Sequence, residues 1–165
     1  MTPEELAERL RGRFDDVLLH RGEVTVTVEP GALLETLRFL RDERDLAFGF
    51  LADLTATDWP SLEPRFWLAY HLLSIDHRHR VRVKAGLPGA DPRIETVTAL
   101  HPTANWHERE VFDFFGVVFD GHPDLRRIEM PEGWVGHPLR KDHPLAGVPT
   151  QYKGAFIPPP DQRGV

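Results

Sequence analysis

The sequence of 165 residues contains no cysteine. This absence excludes disulfides, thiolate nucleophiles, sulfur-ligated zinc and iron–sulfur clusters with the usual cysteine ligands. The sequence also lacks a run of the ~18 apolar residues that a membrane span needs. It has no internal repeat and no GxGxxG loop of the kind that binds dinucleotide phosphates. We therefore expect a cytosolic chain that reaches a membrane only through a partner.

Charge and proline are unevenly distributed. The whole chain has 20 basic and 26 acidic residues, a net charge of −6 that argues against a general nucleic-acid binder. Residues 1–121 carry 14 basic and 21 acidic side chains, and residues 122–165 carry 6 and 5. Eight of the 15 prolines lie in these last 44 residues. We predict a globular α/β domain over 1–121 and an extended, proline-rich tail over 122–165.

Residues 1–121 show alternating helix and strand patterns. A capping box from Thr2 to Glu5 starts a helix, and Pro30 opens a second one. Residues 24–28 alternate as a half-buried strand, and a strand from Phe48 ends in a polar turn over 55–60. Residues 66–75 form a central strand, and after a turn that includes His77 and His79 the chain returns antiparallel. The prediction is a compact two-layer α+β sandwich with a mainly antiparallel sheet and helices, followed by the long tail.

A further helix is predicted from Trp106 to Phe115, with Asn105 as its N-cap and Gly116 just past its end. Its apolar residues lie on more than one side, whereas a surface helix needs one apolar stripe. Two explanations remain open. Either the helix is buried between the sheet and loops of its own domain, or another protein covers its second side.

Carboxylates and histidines near this helix suggest chemistry, but the spacing does not support it. Glu108, Glu110 and Asp113 share the helix, and Arg109 stands four residues before Asp113, where it can neutralise it. A structural ion-pair network is therefore favoured over an acid/base pair. The histidines show no HExxH frame, so no metal site is predicted. These include the pair at 77 and 79, placed on a solvated loop, and the tail histidines at 122, 137 and 143.

The tail has too few apolar residues to stabilise its own ordered conformation. Burial of its twelve large apolar side chains would offset only part of the conformational entropy lost when 44 residues become ordered. We therefore predict that the tail becomes ordered on the surface of a partner.

Residues 105–116 read NWHEREVFDFFG, and residues 119–128 read FDGHPDLRRI. Together with Met130-Pro131-Glu132, Trp134 and GHPLRKD at 136–142, they resemble the 30 kDa subunit family of NADH-quinone oxidoreductase, the proton-pumping respiratory complex I. Weaker similarity begins near residue 48, and the resemblance extends to about residue 150. The sequence departs from the family pattern at Glu129, Gly133 and His143.

The resemblance implies a non-catalytic, peripheral-arm subunit on the cytoplasmic face of the inner membrane. It implies no cofactor in this chain, with flavin and iron–sulfur clusters on other subunits, and a tail that wraps the subunit that forms the quinone site. Arg126, Arg127, Arg140 and Lys141 are predicted to pair with acidic groups on that partner, while Trp134 and Leu139 anchor the tail. The predicted interface comprises these residues together with Trp106, Glu108, Arg109, Glu110, Asp113, His122 and His137.

Three alternatives remain. The same module occurs in related membrane-bound hydrogenases and deazaflavin-dependent dehydrogenases. A free-standing, metal-dependent hydrolase would use the tail histidines and the helix carboxylates. A small RNA-binding sandwich would expose aromatic residues on a basic sheet.

Overall fold

The computed structural model describes residues 1–131 and 133–144, and the backbone of two short strands at 150–152 and 155–157. The described helices are α1 (Pro3–Arg11), α2 (Leu33–Asp42) and α3 (Ala104–Phe115). The main sheet consists of β1 (Val17–His20), β2 (Glu23–Val28), β3 (Phe50–Asp58), β4 (Phe66–Ser74) and β5 (His79–Leu87). Smaller pairs are formed by β6 (Arg93–Glu95) with β7 (Val118–Asp120) and by β8 (Thr150–Tyr152) with β9 (Ala155–Ile157).

The main sheet has the strand order β1-β2-β5-β4-β3. All neighbouring strands in it are antiparallel except β2 and β5, which are parallel. The α+β prediction with a mainly antiparallel sheet is therefore confirmed. After β7, the described chain up to residue 144 consists of turns and extended segments without a helix.

One face of this sheet forms the core. Along β4, buried and half-buried residues alternate strictly, and Phe66, Leu68, Tyr70 and Leu72 all point to the buried side. The buried apolar residues of all three described helices belong to the same core cluster. The helices therefore lie on one side of the sheet, and none of them covers the opposite face.

The helix starts show where local sequence rules hold and where they fail. The box at α1 forms as predicted, because Glu5 N–H donates to Thr2 Oγ1 at 3.2 Å and Thr2 N–H donates to Glu5 Oε2 at 2.8 Å. The predicted cap of the later helix is wrong. That helix begins at Ala104, so Asn105 lies inside its first turn and no side chain caps the helix start.

The structure differs from the sequence-based expectations at three further strands. β1 was not predicted, because its four residues alternate over too short a span to stand out. β3 continues through the supposed polar turn to Asp58, since β4 supplies a partner for each of its last residues. His79 lies not on a solvated loop but at the start of β5, 6% exposed, where Nε2 is 2.8 Å from the Leu46 carbonyl oxygen.

Candidate functional site

Helix α3 lies between the sheet and the first part of the predicted tail. On the inner side Val111 and Phe115 are buried, and Thr103 Oγ1 just before the helix donates to the Leu51 carbonyl of β3 at 3.3 Å. On the other side Leu139 N–H donates to the Phe114 carbonyl at 3.1 Å. The second apolar side of the helix is therefore partly covered by residues of its own chain.

Asp113 is the centre of this contact. Its side chain is fully buried on α3, and Oδ2 accepts the backbone N–H groups of three consecutive residues, Ile128, Glu129 and Met130, at 3.1, 2.9 and 2.9 Å. Its Oδ1 accepts from Arg127 Nη1 at 2.6 Å. One carboxylate thus accepts hydrogen bonds from four consecutive tail residues, 127–130. The predicted pairing of Asp113 with Arg109 is wrong, because Arg109 instead donates to the Arg126 carbonyl at 3.1 Å.

The electrostatics of Asp113 follow from these donors. Burial alone raises the pKa of a carboxyl group, since the charged form loses its hydration. Here the three N–H groups and the guanidinium together outweigh burial, and the pKa of Asp113 lies below its ordinary value. The buried carboxylate therefore stays ionised, which makes each of its hydrogen bonds charge-assisted and stronger than a neutral one.

The last carbonyl groups of α3 have no partners within the helix, and the tail supplies them. Arg127 Nη1 and His137 Nδ1 reach the Asp113 carbonyl at 3.2 and 2.9 Å, and Arg140 Nε donates to the Phe115 carbonyl at 2.5 Å. The Arg140 guanidinium also lies 5.1 Å from the Phe66 ring centroid. Positive side chains at a helix C-terminus are favourable because the helix dipole is negative there. These arginines were predicted to pair with partner acids, but both have partners within the chain.

Gly116 makes this close approach possible. It has a φ of +72°, which L side chains rarely adopt, and a Cβ built there would lie 2.5 Å from His137 Nε2 and 2.6 Å from Arg140 Nη2. The glycine therefore ends the helix and also leaves room for the tail.

Glu108 lies on a different side of α3 and is also fully buried. Oε1 accepts the Val97 N–H at 2.7 Å, and Oε2 is 2.5 Å from Thr96 Oγ1. Burial is the largest cause that raises the pKa of Glu108 to about 7, although both hydrogen bonds oppose it. Through these two hydrogen bonds the glutamate holds the 96–97 segment.

His122 closes this buried region from the tail. Its side chain is fully buried, and Nε2 lies 3.9 Å from Glu108 Oε2. Nδ1 accepts the Asp124 N–H at 3.0 Å, and Nε2 lies 3.2 Å from the Asn105 carbonyl oxygen. His122 and His137 thus both bind backbone carbonyls of α3.

A second set of contacts fixes the tail to the sheet. Asp58 at the end of β3 has no exposed side-chain surface, and it accepts from Arg65 at 2.7 Å and from the Lys141 N–H at 2.7 Å. Arg65 also pairs with Asp142 at 2.8 Å. The first cause that lowers the pKa of Asp58 is its hydrogen bond with Arg65. Sequence reasoning missed this link because no local motif marks it, and its members are up to 83 positions apart.

The side chains of the other predicted interface residues take no part in these networks, although the backbone of Leu139, Lys141 and Arg126 does. Trp106 is 64% exposed, and the Arg109 guanidinium lies 5.1 Å from its ring centroid. Leu139 is 49% exposed, and Trp134 is half-buried with an indole N–H that has no hydrogen-bond partner in the described chain. Glu110, Arg126 and Lys141 are also exposed. Their roles toward a partner stay predictions.

The arrangement favours binding over catalysis. The carboxylates of Glu108 and Asp113 are sealed from solvent, and each is occupied by backbone N–H groups. Within residues 1–131 and 133–144, no group of three or more His, Asp or Glu side chains could hold a metal ion. No helix in the described part of the chain is long and apolar enough to cross a membrane.

The fold and the site define a small α+β domain whose central helix holds the segment that follows it. Comparison with known proteins identifies the family. The model of the 30 Kd subunit of respiratory-chain NADH dehydrogenase matches residues 26–149, and the chain belongs to this family.

Curated relatives agree with this assignment. The corresponding NADH-quinone oxidoreductase subunit of Nocardioides sp. is 48% identical over 148 residues, which cover 89% of this chain and 59% of that protein. Its counterpart in Mycolicibacterium gilvum is 48% identical over 151 residues, covering 91% and 67%. This chain therefore spans about three fifths to two thirds of the length of these relatives.

Two solved structures share the fold. A trypsin-resistant fragment (1–134) of Nqo5 has 32% identity and a TM-score of 0.66, and the match covers 76% of this chain and all of the fragment. A chain of the membrane-bound sulfane sulfur reductase, an archaeal respiratory membrane complex, has 27% identity and a TM-score of 0.69, with 86% and 85% covered.

Proposed function

We propose that this chain is a non-catalytic subunit of the peripheral arm of a proton-translocating NADH-quinone oxidoreductase, bound at the cytoplasmic face of the membrane. Its role is to support assembly around the subunit that forms the quinone site. Flavin and iron–sulfur clusters belong to other subunits in this proposal, and this chain carries no cofactor. Family membership and the names of the curated relatives support the complex-level activity.

The observation that carries the proposal is the Asp113 contact. A buried carboxylate that collects three consecutive N–H groups fixes the position and direction of residues 127–130. The chain beyond follows a defined path along the domain, because residues 137–141 also contact the end of α3 and Asp58. A segment held in this way loses less entropy when it binds a partner, which is the general advantage of preorganisation.

The surface around this point is suited to protein contact. Trp106 and Arg109 belong to the residue types that dominate binding energy at interfaces, and Trp106 is exposed beside the tail. Val135 and Leu139 are 83% and 49% exposed on the tail itself. These exposed side chains on α3 and on the tail support a neighbouring subunit as the molecule that covers them.

The experiment is co-purification through a tag on this chain after mild detergent extraction of membranes. We expect the quinone-site subunit and other peripheral-arm subunits to remain bound to the wild-type chain. Trp106→Ala and a chain that ends at Pro144 should each recover less of the quinone-site subunit, while Trp59→Ala, which removes an exposed tryptophan from the turn after β3, should not. Full recovery with both changes would contradict the proposed interface, and no co-purifying subunit with the wild type would contradict the function.

A second candidate is the equivalent subunit of a related membrane-bound respiratory complex. The likeness to the sulfane sulfur reductase chain favours it, because that match covers most of both chains. The same co-purification separates the two, since the electron-input subunits that accompany this chain would bind NADH in one case and not in the other.

A further inference from the structure

The face of the main sheet that no described helix covers carries a stripe of positive charge. Alternate residues of β5, namely Arg80, Arg82 and Lys84, point to this face, opposite the buried Val81 and Val83. Alternate residues of a strand lie ~6.6–6.8 Å apart, so the three cations extend over ~14 Å.

The neighbouring strands balance this charge only in part, and Asp53 on β3, in register with His71 of β4, lies on the same face. Arg82 pairs with Glu23 at 2.5 Å, but Glu23 is itself 66% exposed. The Lys84 ammonium lies 4.7 Å from the Trp67 ring centroid on β4, and no ion pair of Arg80 is present in the described residues. In residues 1–121, whose acidic side chains outnumber basic ones by seven, this stripe is a local reversal of sign.

Screening by salt makes the local charge the relevant quantity. At physiological ionic strength the Debye length is ~8 Å, so exposed charges further away contribute little to the field at this face. The acidic residues on the helical layer lie behind the core. A molecule that approaches the open face therefore meets the three cations of β5 together with two carboxylates, Glu23 and Asp53, so the face carries a net positive charge.

We infer that this face is a docking surface for an acidic segment of a neighbouring subunit, which rests on the proposed function as a subunit of a larger complex. Lys84 already lies against the Trp67 ring, His71 in register with Arg82 is half-buried, and the exposed Phe50 lies two strands away on β3. Single-stranded nucleic acid needs a series of free aromatic faces along its path, so an acidic protein segment fits the stripe better. Partly exposed Ala69 and Leu73 on β4, opposite Lys84 and Arg80, supply apolar contact beside the charges.

The first test is a photo-crosslink in the intact complex. p-Benzoyl-phenylalanine replaces Arg80, and a separate chain carries it in place of Arg38, an exposed arginine on the helical layer. We expect position 80 to form a crosslink with a peptide of another subunit that has more Asp and Glu than Lys and Arg. A crosslink to nucleic acid or lipid, to a basic peptide, or to nothing would overturn the inference.

The second test uses charge. Arg80→Glu together with Lys84→Glu should lower the fraction of chain recovered in the complex by about tenfold at low salt, and an ionic strength of about 0.3 M should narrow the difference. Arg38→Glu is the matched control and should change recovery by less than about twofold. Equal recovery of all three chains would refute the inference. Absence of partners with the wild-type chain would instead refute the proposed function, so the two failures are distinct.

Discussion

Replacement of Asp113 by asparagine should release the tail from α3 while the domain stays folded. Asparagine has the shape of aspartate but carries two N–H donors on one of its terminal atoms. In either orientation these donors face groups that also donate, either Arg127 or the three backbone N–H groups of residues 128–130. In both orientations Arg127 loses its charge partner, and in addition either the guanidinium or the three backbone N–H groups lose a hydrogen-bond acceptor.

The magnitude follows from burial. The Asp113 side chain has no exposed surface, and that of Arg127 is 22% exposed. Loss of one partner from a buried pair costs about 3–5 kcal/mol. Since 1.4 kcal/mol corresponds to a factor of ten, the equilibrium constant for opening this segment should rise by roughly 100- to 4,000-fold.

Amide hydrogen exchange measured by NMR gives this constant directly at Ile128, Glu129 and Met130. We expect these three amides to exchange faster in Asp113→Asn in proportion to the opening constant, while Val83 and Tyr70 in the sheet keep their protection. Glu110→Gln removes an exposed carboxylate from the same helix and should leave all of these rates within about threefold of the wild type. Unchanged exchange at residues 128–130 in Asp113→Asn would refute the reasoning.

Three further predictions concern Glu108 and Asp113 on α3 and Gly116, which follows its last residue. Because the pKa of Glu108 is raised to about 7 in the folded protein, its contribution to stability is present at low pH and falls by roughly 3 kcal/mol as the pH rises from 4.5 to 7. Glu108→Gln should therefore match the stability of the wild type near pH ~5 and be more stable than the wild type at pH ~8. The free energy of unfolding is measured with urea at both pH values. The same difference between variant and wild type at the two pH values would contradict this prediction. Asp113 has a lowered pKa, so its contribution to stability is present above pH ~4 and lost as the pH falls further. The opening constant at residue 129, which is the observed exchange rate divided by the intrinsic rate at the same pH, should therefore rise in acid in the wild type, and an equal rise in Asp113→Asn would contradict this. Gly116→Ala should cost about 1–2 kcal/mol of stability, because alanine disfavours the left-handed backbone at this position. The added Cβ should also displace His137 and Arg140, so we expect faster exchange of the Leu139 amide. Gly22→Ala, also at a positive φ but with nothing near its Cβ, is the control and should not affect that amide.

Periodicity and caps predicted much of the fold. The apolar run at residues 66–75 and the capping box before α1 are local signals, and the strand and helix that they predict appear in the structure. Hydrogen bonding to a neighbouring strand determines where other strands end. β3 extends past its expected end because β4 offers hydrogen bonds as far as Phe66, and propensity within one segment contains no information about that neighbour.

The site was predictable as a region but not as a set of pairs. The sequence pointed to residues 105–141, and the contacts do concentrate there. Spacing along a helix was the only geometry available, and it paired Asp113 with Arg109. The observed partner, Arg127, is 14 residues away, and the Asp58 contact with residue 141 spans 83 positions. Such links depend on the path of the chain after the helix, which local patterns do not specify.

Hydrogen bonds from backbone N–H groups also stabilise the ordered conformation of the first part of the tail. Apolar burial weighed against chain entropy predicts that the tail needs a partner, but it leaves out the N–H groups that a buried carboxylate can collect. Hydrogen bonds to charged groups contribute about 1.5–3 kcal/mol each, so the contacts of Asp113 alone change the balance for residues 127–130. The anchor at residues 127–130 is therefore explained by contacts within this chain.

The two buried carboxylates of α3 explain why one helix is acidic and apolar on more than one side. Glu108 and Asp113 are five positions apart, which at 3.6 residues per turn places them ~140° apart around the helix axis. Glu108 therefore holds the segment that enters the helix, at Val97, while Asp113 holds the segment that leaves it, at residues 128–130. Both carboxylates accept backbone N–H groups, so loss of either one should change the path of the chain next to the helix.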